Sequence, residues 1–577
     1  MLAVLSLSAV ILWRAPHTEG ANLLFRADAL DYAVVANRLA ALEPPTIPIG
    51  DREYPSRYPV GFPLLLVPAV EAGVPPHELW IVSALTAVLG VGLTYLATVR
   101  ITNRLLATWA AGLLALAPVY IRFGLMVMSD VPAAALTAAW ALSLFTRSWL
   151  AVGLIAGFAC GVRLTGALLL GASAFGAIRD KRCSRFVMGA ALGLLPVVVC
   201  TGAGWSGPFA GYAYWMPGEY GTLVRPFGVA PLLANVAGYT AAFLGLAHRP
   251  AFYSFPVALL ALLGVFSKRL RRTTVVLVVL AIGCHLGIVL PYFFHDLRLV
   301  LPIVPLVLIL AALGLKSLWE RLPLAAGALA ACLIAFQWRD ARHSLGTGPP
   351  TVRVGAALVT VASYLPPEAL VISDVASPLV WLYWERGTAR EFLPLSVPPA
   401  GFRSDVFLDR HLRRLYWNAA AGSRMSLPTT LLDQGGVTAT GRTVIERHER
   451  SGSPVIAVVC TKRGRRDLAG ARLPVRPLVP IGTTSPCDIF RLSAREAAIR
   501  GARGIAPQLG CGDRALDRYR SRVSGERSYI SSTASSVPIA SSAAVCPRPA
   551  TCSLQLPSGA RRLVSIRRSR CETRTYA

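Results

Sequence analysis

Charge is scarce in this chain. Only 15% of its 577 residues are Asp, Glu, Lys or Arg, where a soluble domain carries about 25%. That deficit excludes an ordinary cytosolic enzyme, and it excludes an intrinsically disordered protein, which needs charge and few apolar residues. Lysine is scarcer still: Lys181, Lys268, Lys316 and Lys462 are four among 58 cations, a bias toward arginine of the kind a GC-rich genome imposes. The 11 cysteines include no C-x-x-C pair, and neither Cys nor His shows metal-ligand spacing. The net charge of +28 is scattered between apolar segments and a basic tail. It forms no patch or stripe, which argues against nucleic acid as a partner.

Apolar residues take the place of the missing charge. They make up 54% of the chain, with a mean hydropathy of +0.53, and they occur in long runs. A helix crosses a bilayer with about 20 apolar residues. On that measure the sequence predicts a mainly α, polytopic membrane protein with about eleven spans. They fall near 2–13, 79–99, 105–121, 131–146, 149–162, 164–178, 186–205, 251–267, 273–294, 299–315 and 322–338. The pair flanking Arg163 reads equally as a re-entrant hairpin. Every second loop is short and basic, with thirteen cations in all against two acids, Asp180 and Glu320. Those loops are expected to be cytoplasmic. The loops 14–78 and 206–250, and everything after Trp338, then face outward.

Within the first outer loop, residues 27–42 form an amphipathic helix that ends before Pro44-Pro45, and the prolines of 54–68 are expected to break any regular helix. Residues 345–495 change character and read as a small extracytoplasmic α/β domain. Its expected strands are 369–373, 453–460 and 487–493, and its expected helices 377–385 and 404–420. Cys460 and Cys487 can form a disulfide where this segment meets an oxidising compartment. Cys160, Cys200, Cys284 and Cys332 sit in apolar runs as small buried hydrophobes. Residues 496–577 are Arg- and Ser-rich and read as a low-complexity, disordered tail.

Ionisable groups at a membrane boundary face a cavity or one another, because exposure to lipid costs several kcal/mol. The informative ones map to the outer side: Asp28 and Asp31, Arg57, Asp130, Arg163, and His295-Asp296-x-Arg298. Asp28 and Tyr32 share one helix face at i and i+4. Asp28 and Asp130 each also read as an acid at a helix N-terminus. Arg298 reads either as the partner of Asp296 or as a phosphate ligand, since a guanidinium binds phosphate bidentately and keeps its charge. His295 is a second donor or an interface residue.

The order of these features resembles the GT-C class of membrane glycosyltransferases, in the protein-mannosyltransferase and aminoarabinose-transferase branch. DALDYAVVANRLA (28–40) looks like the first-loop motif of that family, and YPVGFPLLLVPA (58–69) its Tyr-Pro-Pro-Gly-x-Pro-Leu-Leu stretch. SDVPAAALTAAWAL (129–142) is similar to the acid that opens a later span. GVRLTGALLL (161–170) matches the Leu-Thr-Lys/Arg-Thr signature and RLVLPIVPLVLIL (298–310) the Arg-Tyr-x-Leu-Pro-x-x-Pro span. The resemblance covers residues 1–340, the transmembrane part. Ala29 replaces the usual Glu, Ser56-Arg57 stands where some members carry Glu-Lys, and Leu299 stands where Tyr is frequent.

The resemblance implies a multi-pass protein of the cytoplasmic (inner) membrane with its site on the outer face. A polyprenyl-phosphate-linked sugar is the donor and membrane lipid its surroundings. The acceptor is extracytoplasmic, and its identity and the sugar are left open. Asp28 and Asp130 are then the catalytic acids, Asp28 as general base. Tyr32, Arg57, Tyr58, Arg163, His295 and Arg298 bind substrate. No metal ligands are assigned; a divalent metal stays open, although Asp28-x-x-Asp31 lacks Asp-x-Asp spacing. The rival readings are a transporter or lipid flippase, and a membrane protein that binds glycan without chemistry.

Overall fold

Apolar runs interrupted by Gly, Pro and paired charges fold as a succession of helices. The computed structural model describes residues 1–14, 27–202, 215, 228–244, 255–267, 272–292, 296–346, 354–385, 390–398, 409–420, 426–433, 436–471, 473, 475–478 and 487–492. The chain divides into two compact units, Met1–Gln508 and Leu509–Ala577. The tail read over 496–577, and with it the second unit, lies outside the described residues.

Helix α1 (Leu2–Arg14) is followed by α2 (Ala27–Ala40), the hairpin β1 (Thr46–Ile49) and β2 (Arg52–Pro55), and α3 (Gly61–Glu71). The hairpin turns at Gly50, whose φ of +62° lies in the left-handed region that glycine enters without strain. Helix α3 departs from the expectation that prolines break residues 54–68. Pro63 falls in its first turn, where no intrahelical amide bond is required. Pro68 forfeits one bond, but Phe62, Leu66 and Val70 are buried and hold the turn against the bundle.

The bundle continues with α4 (Trp80–Val99), α5 (Arg104–Ala115), α6 (Pro118–Gly124), α7 (Asp130–Phe145), α8 (Trp149–Val162), α9 (Ala167–Arg179) and α10 (Cys183–Gly202). Beyond it come α11 (Val229–Leu244), α12 (Phe255–Val265), α13 (Arg272–Val289), α14 (Val304–Trp319) and α15 (Pro323–Gly346). Among the described residues, Pro76–Val99, Cys183–Thr201 and Leu297–Trp319 are long and apolar enough to cross a membrane. The run read as one span over 105–121 is two helices bent by 63°. The break is local chemistry: Ala117 precedes Pro118 and is extended, with ψ 116°, because proline disfavours the helical region for its predecessor. Helix α11 lies in the segment read as the outer loop 206–250. Its 16 residues carry Pro, Asn and Gly and are shorter than a full span.

Small residues set a close helix contact between α8 and α10. A Cβ on Gly153 of α8 would stand 2.2 Å from the carbonyl oxygen of Phe186, and one on Gly157 2.5 Å from that of Ala190. Gly189 and Gly193 of α10 meet Leu150 and Leu154 in the same way. Glycines four apart on both helices let the backbones touch, the usual device where lipid offers no hydrophobic drive between helices.

The part after the bundle is built on a five-stranded mixed sheet. After α16 (Val354–Ala362) come β3 (Leu370–Ser373), the short α17 (Ser377–Val380), β4 (Glu391–Pro394), α18 (Arg410–Ala420), and a two-residue hairpin, β5 (Leu432–Asp433) and β6 (Gly436–Val437). Then follow α19 (Ala439–Arg450), β7 (Val455–Val459), α20 (Lys462–Gly470), β8 (Val475–Pro477) and β9 (Asp488–Leu492). The order is β4-β3-β7-β9-β8, with β3 parallel to β4 and β7 and the other pairs antiparallel. Alternate residues serve alternate faces. Val371, Ile456, Val458 and Ile489 join the core that runs into the bundle, while Leu370, Ile372, Ala457 and Val459 pack a second, outer cluster. A disulfide joins Cys460 and Cys487 at the adjoining ends of β7 and β9.

Candidate active site

Five separate stretches of chain converge where α2 meets the bundle. Asp28 lies in the first turn of α2, and both its oxygens are engaged away from that helix. Tyr58 donates its hydroxyl to Oδ1 at 2.6 Å, and Arg298 donates from Nη1 to Oδ2 at 2.8 Å. Arg298 sits at the head of the Leu297–Trp319 helix, 270 residues along the chain. Its Nε stands 3.4 Å from Asp296, whose other oxygen accepts the Arg298 backbone N–H and so caps the turn. Arg298 therefore holds the local acid read as its partner and, in addition, the distant Asp28. Arg57 lies over the ring of Tyr58, 5.3 Å from its centroid, and adds a second positive charge beside Asp28.

Burial raises the proton affinity of the Asp28 carboxyl. The charges of Arg298 and Arg57 and the Tyr58 hydrogen bond overcome it and hold the group well below the usual carboxylate range. Asp28 is a paired carboxylate at any physiological pH.

A second pair lies beside the first. Asp130, fully buried in the first turn of α7, accepts a hydrogen bond from Arg163, which ends α8 in extended conformation. Asp130 Oδ2 has no hydrogen-bond partner among the described residues. Asp130 is also near enough to Arg298 to act on it electrostatically. Tyr32, one turn after Asp28, connects the pairs. Its hydroxyl shares a 2.9 Å hydrogen bond with Ser129, and its ring packs on Tyr58 and edge-on against Phe62. A Cβ on Gly61 would stand 2.4 Å from the Gly161 carbonyl carbon. That contact seats the Tyr58 segment directly on the end of α8 that carries Arg163.

Of the residues singled out in the sequence, Asp28, Tyr32, Arg57, Tyr58, Asp130, Arg163 and Arg298 thus fall in one cluster. His295 lies outside the described residues. Ser129 went unread because its place before an acid and a proline suggests an ordinary helix cap, yet its hydroxyl turns to Tyr32. Tyr239 of α11, which donates to the Asp296 carbonyl at 3.0 Å, carried no signal within its apolar run. A small cavity is lined by Thr137 of α7, Thr165 and Leu169 just beyond Arg163, His285 of α13, and Pro302 at the head of the Leu297–Trp319 helix. Among the described residues no group of three His, Cys, Asp or Glu side chains is placed to hold a metal ion.

Two crystal structures of ArnT from Cupriavidus metallidurans align with this chain, one in the apo state and one bound to undecaprenyl phosphate. Each gives a TM-score of 0.52, at 14% and 13% sequence identity, over 85% of this chain and 97% and 98% of theirs. This chain has the ArnT fold. The resemblance read from motif order, to the aminoarabinose-transferase branch of the GT-C class, is therefore met at the level of fold. No family model and no curated protein sequence matches the chain. In this ArnT fold one acid–arginine pair joins the loop helix α2 to the head of the Leu297–Trp319 helix, and the other joins the head of α7 to the end of α8.

Proposed function

We propose that the protein is an integral-membrane glycosyltransferase that moves a monosaccharide from a polyprenyl-phosphate donor to an extracytoplasmic acceptor. The carrying observation is the meeting of Asp28 with Arg298 and Tyr58 across 270 residues of chain, beside the Asp130–Arg163 pair. The fold of ArnT, one of whose structures holds undecaprenyl phosphate, supports a lipid phosphate as the donor's leaving group. The Cys460–Cys487 disulfide supports an oxidising, extracytoplasmic setting for the outer part.

The acceptor hydroxyl attacks the anomeric carbon and its proton passes to Asp28. The bond between that carbon and the phosphate oxygen breaks, with inversion, and its electron pair leaves on the phosphate. No strong general acid is needed, because a phosphate monoester departs as a stabilised anion. What is needed is fixed positive charge at the leaving oxygens, supplied by Arg298, Arg163 and Arg57. Before the donor binds, Arg298 occupies Asp28. Donor phosphate competes for that guanidinium, and as the pairing loosens the carboxylate regains affinity for a proton. Arrival of the donor thus turns a quenched carboxylate into a base. Asp130 Oδ2 remains to orient a sugar or acceptor hydroxyl.

The test uses membranes from cells making the full chain, given labelled polyprenyl-phospho-sugar. Asp28→Asn is expected to lower transfer about 10²–10⁴-fold while labelled donor still binds. Transfer near the wild-type rate rejects Asp28 as base. Movement of donor across proteoliposomes without sugar release supports the flippase reading instead.

A further inference from the structure

The helix that carries Asp28 is gripped from a second side. Three residues on from Asp28, Asp31 is buried with 1% of its surface exposed. Its Oδ1 is hydrogen-bonded to Nε2 of His411, itself buried and 380 residues away in the first turn of α18. The imidazole is held in turn. Asp409 stands 3.8 Å from its Nδ1, accepts the Leu412 amide through Oδ1, and accepts both the amide and hydroxyl of Ser377 through Oδ2. Ser377 follows β3, so the chain of contacts reaches the central sheet. Trp215 closes the remaining side: its ring meets the imidazole edge-on, its indole N–H donates to the Pro55 carbonyl, and its own carbonyl accepts from Asn418.

We propose that His411 is a positioning residue for the transfer reaction, clamping α2 through Asp31 so that Asp28 stays in register with Arg298 and Tyr58. The proposal rests on the glycosyltransferase reading above. A purely apolar contact would stabilise α2 equally well. An ionisable bridge between three buried side chains instead fixes the helix's rotation and height, which an apolar face leaves free to slide. It also makes the register of the site depend on the outer part of the protein, from which His411, Asp409 and Ser377 all come.

The charged groups facing the imidazole are Asp31, Asp409 and Arg414. Burial pushes its proton affinity down, and Arg414 does so slightly. Asp31 and Asp409 outweigh both, so His411 titrates above the ordinary histidine value. The clamp is therefore complete below about pH 6.5, the unfolded value. It weakens as pH rises through the higher folded value and the charge is lost.

The experiment compares wild type, His411→Ala and His411→Gln as full-length proteins in membranes. It reads donor binding, turnover across pH, and hydrogen exchange of the 28–40 amides. His411→Ala is expected to lower kcat by tenfold or more with donor KM little changed, and to speed exchange in α2. Glutamine can still donate to Asp31 but carries no charge. His411→Gln should recover much of the neutral-pH rate and lose the alkaline fall in kcat. If His411→Ala does not accumulate, His411→Gln decides alone. An unchanged pH profile and unchanged exchange in α2 overturn the proposal. If wild type transfers no sugar yet α2 exchange responds to His411 and to pH, the clamp stands and the glycosyltransferase reading fails.

Discussion

Asp28 is a weak base as it rests, and the reason is its company. Its folded proton affinity is depressed, so its ion pair stabilises the fold above the unfolded value near pH 3.9 and is lost only as pH falls through the lower folded value. An acid limb of kcat/KM between pH 5 and 7, which reports the protein before the donor binds, therefore belongs to another group. The neighbouring pair carries a different liability. Asp130 is fully buried and Arg163 is its partner, so Arg163→Ala strands a carboxylate. The expected cost is about 3–5 kcal/mol, measured by thermal or denaturant unfolding in detergent. The double change Asp130→Asn with Arg163→Gln should regain most of that loss, because no bare charge is left. At this scale the sequence was informative where a charge interrupts an apolar run, as at Asp130, Arg163 and Arg298. It was silent on His411, which lies in a strongly charged amphipathic helix and reads there as one more surface cation.

Among the elements, the α8–α10 contact bears most directly on the site, since Arg163 is the residue that ends α8. Gly153→Leu drives a side chain into the Phe186 carbonyl. It is expected to cost about 1–3 kcal/mol or more through overpacking and to lower transfer by shifting Arg163. Gly171→Leu, on α9 with nothing within 4 Å of its Cβ position, is the control and should leave both unchanged. Detergent stability and membrane transfer assays check the pair together. The sequence announced such elements unevenly. The short apolar runs ALVIS, SPVIAVVC and CDIFRLS matched β3, β7 and β9 almost to the residue. EFLP (391–394) and VRP (475–477) were too short and too proline-bounded to read as strands. The β1–β2 hairpin was missed because Pro48 and Pro55 obscure the alternation, although Gly50 marks the turn.

Across the described residues, the bundle, the loop helix and one face of the sheet share a single core, so sheet and bundle stand or fall together. The Cys460–Cys487 bond crosses a separation of 27 residues inside that assembly. Loop-closure entropy puts its contribution at about 3.5 kcal/mol. The double change to serine should lower the unfolding temperature, and added reductant should reproduce the loss in wild type but not in the variant. The sequence could nominate this pair because only two cysteines stand between the last apolar span and the tail. It could not show that β7 and β9 are neighbours, which depends on strands pairing out of order. Finally, the charges of Asp28, Asp130 and Asp296 are matched by Arg57, Arg163 and Arg298, which leaves the pocket electrically balanced when empty. An inhibitor aimed here must carry its own anion and win a guanidinium away from a carboxylate. Uncharged sugar mimics would find Arg298 and Arg163 already paired with carboxylates.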